Sequence, residues 1–296
     1  ETADEQRYNL YYIKGYSYLL AGEYFRALPV ENGGEVKGWK ENLNLAISTF
    51  TEALKFTSDT DETAFINTLI ARAYYRLGNK VNAVKYASNV LTLSTDFTKQ
   101  VTFDGENNVI SSIQGYIYGT NFQPLPRLDF LDPKYFQTKA KEARPICIAK
   151  AEEPYLILAE AALADNDVNG AKGFLKTLLT LVSNRPVATD INDQLEGRYN
   201  GGYKEYPNSS EYRVAASSED EFRSGLVLDR QSPHLISVPY ISGTSVTEEM
   251  IDAPTTVDGL LEVLYLMRQE IFMAEGRRAA DLGIRFPVCE TAVSYT

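Results

Sequence analysis

Along this chain apolar residues return every three or four positions in a series of stretches, and segments rich in Gly, Pro and Asn separate them. Tyr8 to Leu20 (YNLYYIKGYSYLL) predicts a helix burying Leu10, Ile13, Ser17 and Leu20 on one side, ended by Ala21-Gly22-Glu23. Glu41 to Lys55 sets Leu43, Ala46, Ile47, Phe50 and Leu54 on one face, an amphipathic helix of about four turns at ~3.6 residues each. Two further helices are expected over Thr63 to Leu77 and Val81 to Leu93, joined at Gly78-Asn79. Between the first two, Phe25 to Lys40 carries Pro29, Gly33, Gly34 and Gly38, which break regular structure and leave Trp39 on or beside an exposed loop.

The densest apolar pattern comes late, in Asp258 to Ile284. Leu260, Leu264, Met267 and Ile271 form a stripe that Leu261, Val263, Leu266 and Phe272 widen, so this helix is expected to be buried on most sides. Thr255 with Asp258 three residues on has the spacing of a capping box. After Met273 the character turns ionic: Glu275, Arg277, Arg278 and Asp281 stand at i,i+3 and i,i+4 and are expected to pair along one edge of the helix. Such a cluster at the end of a buried helix ordinarily clamps it to its neighbours and does no chemistry.

Two stretches look alike. ARAYYRLGNKVNAVKYASNVL resembles the junction of two tetratricopeptide repeats, with small Ala71 and Ala73 allowing close packing, Leu77-Gly78 turning, and Ala83 and Tyr86 filling the next groove. The template recurs at Ala159, Ala161, Ala171 and Phe174 with Asp165 to Gly170 as the turn. The separation is no multiple of the usual ~34-residue repeat, so insertions are expected between helix pairs. The fold class expected is mostly α: tetratricopeptide-like helix pairs decorated with long irregular loops and a few short strands. In order these are N-terminal helical repeats (8–95), an irregular insertion (96–149), a helical repeat (150–184), an irregular loop region (185–254) and a C-terminal helix (255–286). Short strands are expected in Val109 to Tyr118 and Leu235 to Ile241.

The irregular regions are rich in aromatic residues, with Tyr116, Tyr118, Phe122 and Tyr135 in one and Tyr203, Tyr206, Tyr212 and Tyr240 in the other. Loops on a rigid frame are where binding usually resides. A pyranose stacks its C–H face on Trp or Tyr and needs amide, carboxylate or guanidinium groups at the rim. Trp39, Tyr116, Tyr118, Tyr203 and Tyr206 are therefore the ligand-binding candidates, although any one Tyr among 20 is more often a packing residue.

Composition narrows the function. The 296 residues hold 29 Lys plus Arg against 40 Asp plus Glu, a formal charge of −11, which disfavours nucleic acid as a partner. Two cysteines, Cys147 and Cys289, lack metal spacing, leave one disulfide possible and do not fix the redox compartment. A single His234 offers little for a triad or zinc site. Asp165 to Gly170 matches the start of a calcium loop, but Lys176 stands at the twelfth position, where a bidentate acid is required. No nucleotide, metalloprotease or hydrolase motif occurs, so no catalytic residue and no cofactor is expected. There is no apolar run of membrane-spanning length, and Glu1 to Tyr8 is polar, so an export signal is either removed or absent.

Arg268, Glu275-Gly276, Arg278 and Asp281-Leu282 resemble the ER-x-x-E-L-x-x-E-G-x-R-x-x-D-L signature of the SusD/RagB family of Bacteroidetes, with Met267 and Ile271 replacing its first two Glu and Glu270 one position off. Glu153, Leu156, Ala159, Glu160 and Ala161 resemble that family's second signature, with Lys150 for its Arg. The resemblance implies a single SusD-like domain over 1–296, a divergent and shortened branch of a usually longer family. It further implies a non-catalytic lipoprotein on the outer face of the outer membrane, held by an N-terminal lipid anchor that would precede Glu1. Such a protein would capture oligosaccharide or another nutrient for a SusC-like TonB-dependent transporter in polysaccharide utilisation. The alternative is a tetratricopeptide-type protein-interaction scaffold with no sugar ligand.

Overall fold

The expected helix pairs form. In the computed structural model, which describes residues 2–31, 33–112, 134, 143–192, 219 and 235–287, α1 (Ala3–Tyr24) packs on α2 (Trp39–Ala53) and α3 (Thr60–Arg76) on α4 (Lys80–Leu93). A third pair joins α5 (Glu152–Ala164) to α6 (Val168–Ser183). The pairs stack through α2 on α3 and α4 on α5, as the repeat resemblance implied. α7 (Glu248–Asp252) lies on α6, α8 (Val257–Ile271) closes the far side against α5 and α6, and short α9 (Arg278–Asp281) returns to α1.

Local chemistry sets the helix starts. Thr2, Asp59, Asn79, Asp167 and Thr256 each accept a hydrogen bond from an otherwise orphaned backbone N–H. The cap of α8 is thus Thr256, one residue later than the expected Thr255. Gly78 takes φ 72° at the α3–α4 turn and Asn166 φ 59° at the α5–α6 turn, left-handed geometry that Gly and Asn tolerate best. The calcium-loop lookalike is that turn: Asp167 caps α6, Lys80 pairs with Asp165, and Lys176 pairs with Glu248 and Asp252.

The core has two main parts. Leu19, Leu43, Phe50, Phe65, Ile66 and Leu69 meet among α1, α2 and α3, while Leu156, Leu175, Leu178, Leu260, Leu264 and Met267 meet among α5, α6 and α8. Each such side chain contributes roughly 1.5–3 kcal/mol through burial. The face of α1 differs from expectation. Leu10 and Ile13 are 64% and 61% exposed, and Tyr8, Gly15, Leu19 and Gly22 face inward, because Tyr12 and Tyr16 carry the bulk on that side and Gly15 and Gly22 let α2 come close. The helix also runs on through Ala21 to Glu23, ending at Tyr24.

Among the described residues, segments expected to be irregular contain three two-stranded antiparallel ribbons. β1 (Ala27–Pro29) pairs with β2 (Val36–Gly38), β3 (Thr98–Val101) with β4 (Ile146–Lys150), and β5 (Val187–Asn192) with β6 (Leu235–Pro239). Strand β6 fulfils the expectation at Leu235. By contrast Val109 makes only an isolated bridge to Asp104, and 113–118 lie outside the described residues. The expected continuous C-terminal helix is interrupted: α8 stops at Ile271, Ala274 (φ 55°) and Gly276 (φ 71°) turn the chain, and α9 follows.

Candidate functional site

The turn after α8 delivers its charges into the middle of the molecule. Glu153, in the first turn of α5, is fully buried. It accepts from Arg72 Nε and Nη2 of α3 at 2.9 and 2.7 Å, and from Arg277 Nη1 and Nη2 at 3.0 and 2.7 Å. Burial alone would raise its carboxyl, but Arg277 and Arg72 overcome that and hold it well below the usual carboxylate range. Arg277 is pushed up in turn, burial being outweighed by Glu153.

The neighbouring acids are equally engaged. Asp281 accepts from Arg76 at 2.7 Å and Arg268 at 3.4 Å, and Arg76 also reaches Glu23 of α1 at 2.8 Å. Glu160 accepts from Tyr75 Oη at 2.8 Å and Arg268 at 3.4 Å. Lys150 of β4 donates to Glu275 and to the Ile271 carbonyl, both at 2.7 Å. The structure therefore gathers Glu153, Glu160, Arg268, Glu275 and Asp281 into a set of three neighbouring clusters, Glu153 with Arg72 and Arg277, Asp281 and Glu160 with Arg268, and Glu275 with Lys150, which together tie α1, α3, β4, α5, α8 and α9. Arg278 is not part of it and is exposed, while Gly276 makes the turn. The charges pair across elements and not along one helix edge as expected, because the helix has ended before they begin. The side chains of Glu153, Glu275 and Asp281 are buried and each is held by a cation from another element, so these acids clamp elements together.

Of the proposed ligand-binding residues only Trp39 lies within the described part; Tyr116, Tyr118, Tyr203 and Tyr206 lie outside it. Trp39 is the first residue of α2 and not a loop residue, half-buried against the first core, with the Arg285 guanidinium 3.9 Å from its ring centroid. That guanidinium occupies one face of the indole.

A cavity of about 590 Å³ opens elsewhere, where the start of α1, the α2–α3 turn and β3 converge. Tyr8, Phe56 and Phe97 supply its apolar surface, and Asn9, Lys99, Glu5, Asp59, Asp61 and Glu62 its polar one. Each element places its residues for a local reason. A 3-10 turn over Leu54–Phe56 ends α2, and Asp59 caps α3 by accepting from Glu62 N at 2.8 Å. Glu62 in turn accepts from Tyr8 Oη and from Lys99 Nζ, joining α1 to β3. Burial, reinforced by that Glu62 hydrogen bond, pushes the Tyr8 hydroxyl well above its ordinary value. A smaller cavity of about 190 Å³ lies between the α3–α4 turn and α5, walled by Ala83, Val84, Ile157, Ala161 and Ala164.

The larger cavity escaped the sequence because Thr57 to Glu62 reads as an ordinary polar turn. Acids at 59, 61 and 62 between aromatics at 56 and 65 were a visible signal, but only helix pairing brings Tyr8 and Phe97 to them. Among the described residues no group of His, Cys, Asp and Glu is arranged to hold a metal ion, and no helix is long and apolar enough to cross a membrane.

No protein-family model and no curated protein matches this chain. Among solved structures, a SusD-like protein from Bacteroides fragilis NCTC 9343 superposes with a TM-score of 0.50 at 11% identity, over 95% of this chain and 69% of that one. A SusD-like carbohydrate binding protein from Bacteroides vulgatus ATCC 8482 gives 0.45 at 12% identity, over 98% and 80%. With its stacked helix pairs closed by a C-terminal ionic clamp, the chain has the fold of the SusD-like proteins.

Proposed function

We propose that this chain is a cell-surface, lipid-anchored glycan-binding protein that hands oligosaccharide to a SusC-like TonB-dependent transporter and performs no chemistry on it. The observation that carries this is the 590 Å³ cavity, within the range of ligand sites at roughly 300–1,000 Å³, which pairs aromatic surface with carboxylate, amide and amine groups. A sugar ring can rest part of its apolar C–H face on the half-buried Phe56, whose ring also meets Tyr11 and Arg7, and touch the accessible edges of the largely buried Tyr8 and Phe97, while Asn9, Asp59 and Asp61 receive its hydroxyls. The SusD-like fold and the two signature resemblances support the transporter partnership and the outer-membrane location. Tyr116, Tyr118, Tyr203 and Tyr206 are proposed as further contacts of a longer glycan. Trp39, at the far end of α2 from the cavity and with one indole face under Arg285, is proposed as a contact of a glycan long enough to span that helix.

The test is a glycan-array screen of the whole chain, followed by calorimetry on wild type, Phe56→Ala and Trp39→Ala. Micromolar to millimolar binding that weakens in Phe56→Ala is expected. Unchanged affinity in Trp39→Ala would remove that residue from the site, and no hit on any glycan would overturn the assignment in favour of a partner-binding scaffold.

A further inference from the structure

The charge around the larger cavity is one-sided. Its lining holds four carboxylates, Glu5, Asp59, Asp61 and Glu62, against one cation, Lys99. Lys99 is already committed to Glu62 and sits over the Phe65 ring. The nearby Arg7, over Phe56, is paired with Asp4 at 3.5 Å and adds no net charge. Glu5 and Asp59 accept from the backbone N–H groups of Thr2 and Glu62, bonds that leave their charge uncompensated. The Asp61 side chain makes no hydrogen bond or ion pair among the described residues. The N-terminus of α3 offsets about half a unit of charge, too little to balance three carboxylates. A ligand in this cavity therefore meets the accessible part of Phe56, the edges of Tyr8 and Phe97, and an excess of negative charge.

Resting on the glycan-binding assignment, we infer that this cavity selects glycans bearing free amino groups, the de-N-acetylated hexosamines, over neutral ones, and rejects uronic and sulfated glycans. An ammonium on an otherwise neutral pyranose answers both features: the ring meets the accessible apolar edges of Phe56, Tyr8 and Phe97, and the cation meets the exposed Asp59 and Asp61. An anionic sugar meets the same carboxylates with like charge, and the chain's overall −11 repels it further.

The experiment is calorimetry on the whole chain with β-1,4-linked glucosamine hexamer, the matching glucose hexamer and hexalysine, using wild type and Asp59→Asn/Asp61→Asn. Asn keeps the helix cap that Asp59 provides. The glucosamine hexamer should bind about tenfold more tightly than the glucose hexamer, as two exposed charge pairs allow, and the double variant should abolish that preference. Raised salt should narrow it as well. Equal affinity for the two hexamers overturns the charge selection and leaves glycan binding standing. Binding of neither sugar overturns the glycan assignment itself, and hexalysine binding as tightly as the glucosamine hexamer overturns a saccharide as the ligand. A preference that survives in the double variant overturns this cavity as its source.

Discussion

Glu153 illustrates what one residue holds in place. Two guanidinium groups, Arg72 and Arg277, converge on one fully buried carboxylate, and both are nearly inaccessible themselves. Removing the carboxylate's charge leaves two desolvated cations facing a neutral group, a change that typically costs about 3–5 kcal/mol. Glu153→Gln should therefore lower the unfolding free energy by roughly that amount, against a few tenths for Glu52→Gln at the exposed Lys55 pair. Urea denaturation checks both, and a loss below ~1 kcal/mol at Glu153 would show that water or rearrangement screens the cluster. The sequence shows Glu153, Glu160, Arg268, Glu275 and Asp281 as distinctive, yet it conceals their partners. Arg72, Arg76 and Glu23 look like solvated charges on their own helices, since only the stacking of α1, α3 and α5 turns them inward. The i,i+3 spacing of Glu275, Arg278 and Asp281 suggested local pairs that the left-handed residues Ala274 and Gly276 remove.

At the scale of elements, the close approach of α1 to α2 depends on glycine. A Cβ at Gly22 would lie 2.6 Å from Leu43 Cγ and 2.9 Å from the Trp39 carbonyl, and one at Gly15 would lie 2.7 Å from the Phe50 ring. Because the Trp39 contact is backbone, α2 itself must shift. Gly22→Ala should destabilise by about 1–3 kcal/mol through overpacking. Gly173, inside α6 with no atom near its would-be Cβ, gives the opposite sign: Gly173→Ala should stabilise by about 0.5–1 kcal/mol by restricting the unfolded chain. Thermal melts of the two variants should move in opposite directions, and a shared direction would contradict the packing described for α1. The helices from α2 to α6 were legible because aliphatic residues mark one face. The face of α1 was not, because it is apolar on both sides and the aromatic side won over Leu10 and Ile13. Strand β6 was legible at Leu235, but the other strands were missed since three to six residues among Gly, Pro and Asn leave too short a pattern, and β3 finds its partner only across a long insertion.

For the whole molecule, the architecture is a stack of helix pairs with tyrosines packed along the edges of its aliphatic core, so alkaline pH acts on several of its contacts at once. Tyr8, Tyr12, Tyr16, Tyr24, Tyr75 and Tyr155 all have hydroxyls raised above the ordinary value of 10.0, burial being the first cause in each, with Tyr12 pushed up to about 12. The sign follows from which state binds the proton. Below pH 10 these hydroxyls are protonated in both states and contribute no pH dependence. Above it the unfolded chain releases its phenolic protons while the folded chain keeps them, so the stability they confer is lost as pH rises toward the folded values. Phenolate absorbance should accordingly rise in two stages, a gradual one from exposed tyrosines and a cooperative one coinciding with loss of helical circular dichroism. Phe at position 8 removes one such proton and the Glu62 hydrogen bond with it, so Tyr8→Phe should shrink the cooperative absorbance step and soften the fall of stability above pH 10. Titration of all tyrosines near pH 10 with the helical signal intact would mean that the seams admit water freely, and the packing of α1 against α3 would need to be looser than described.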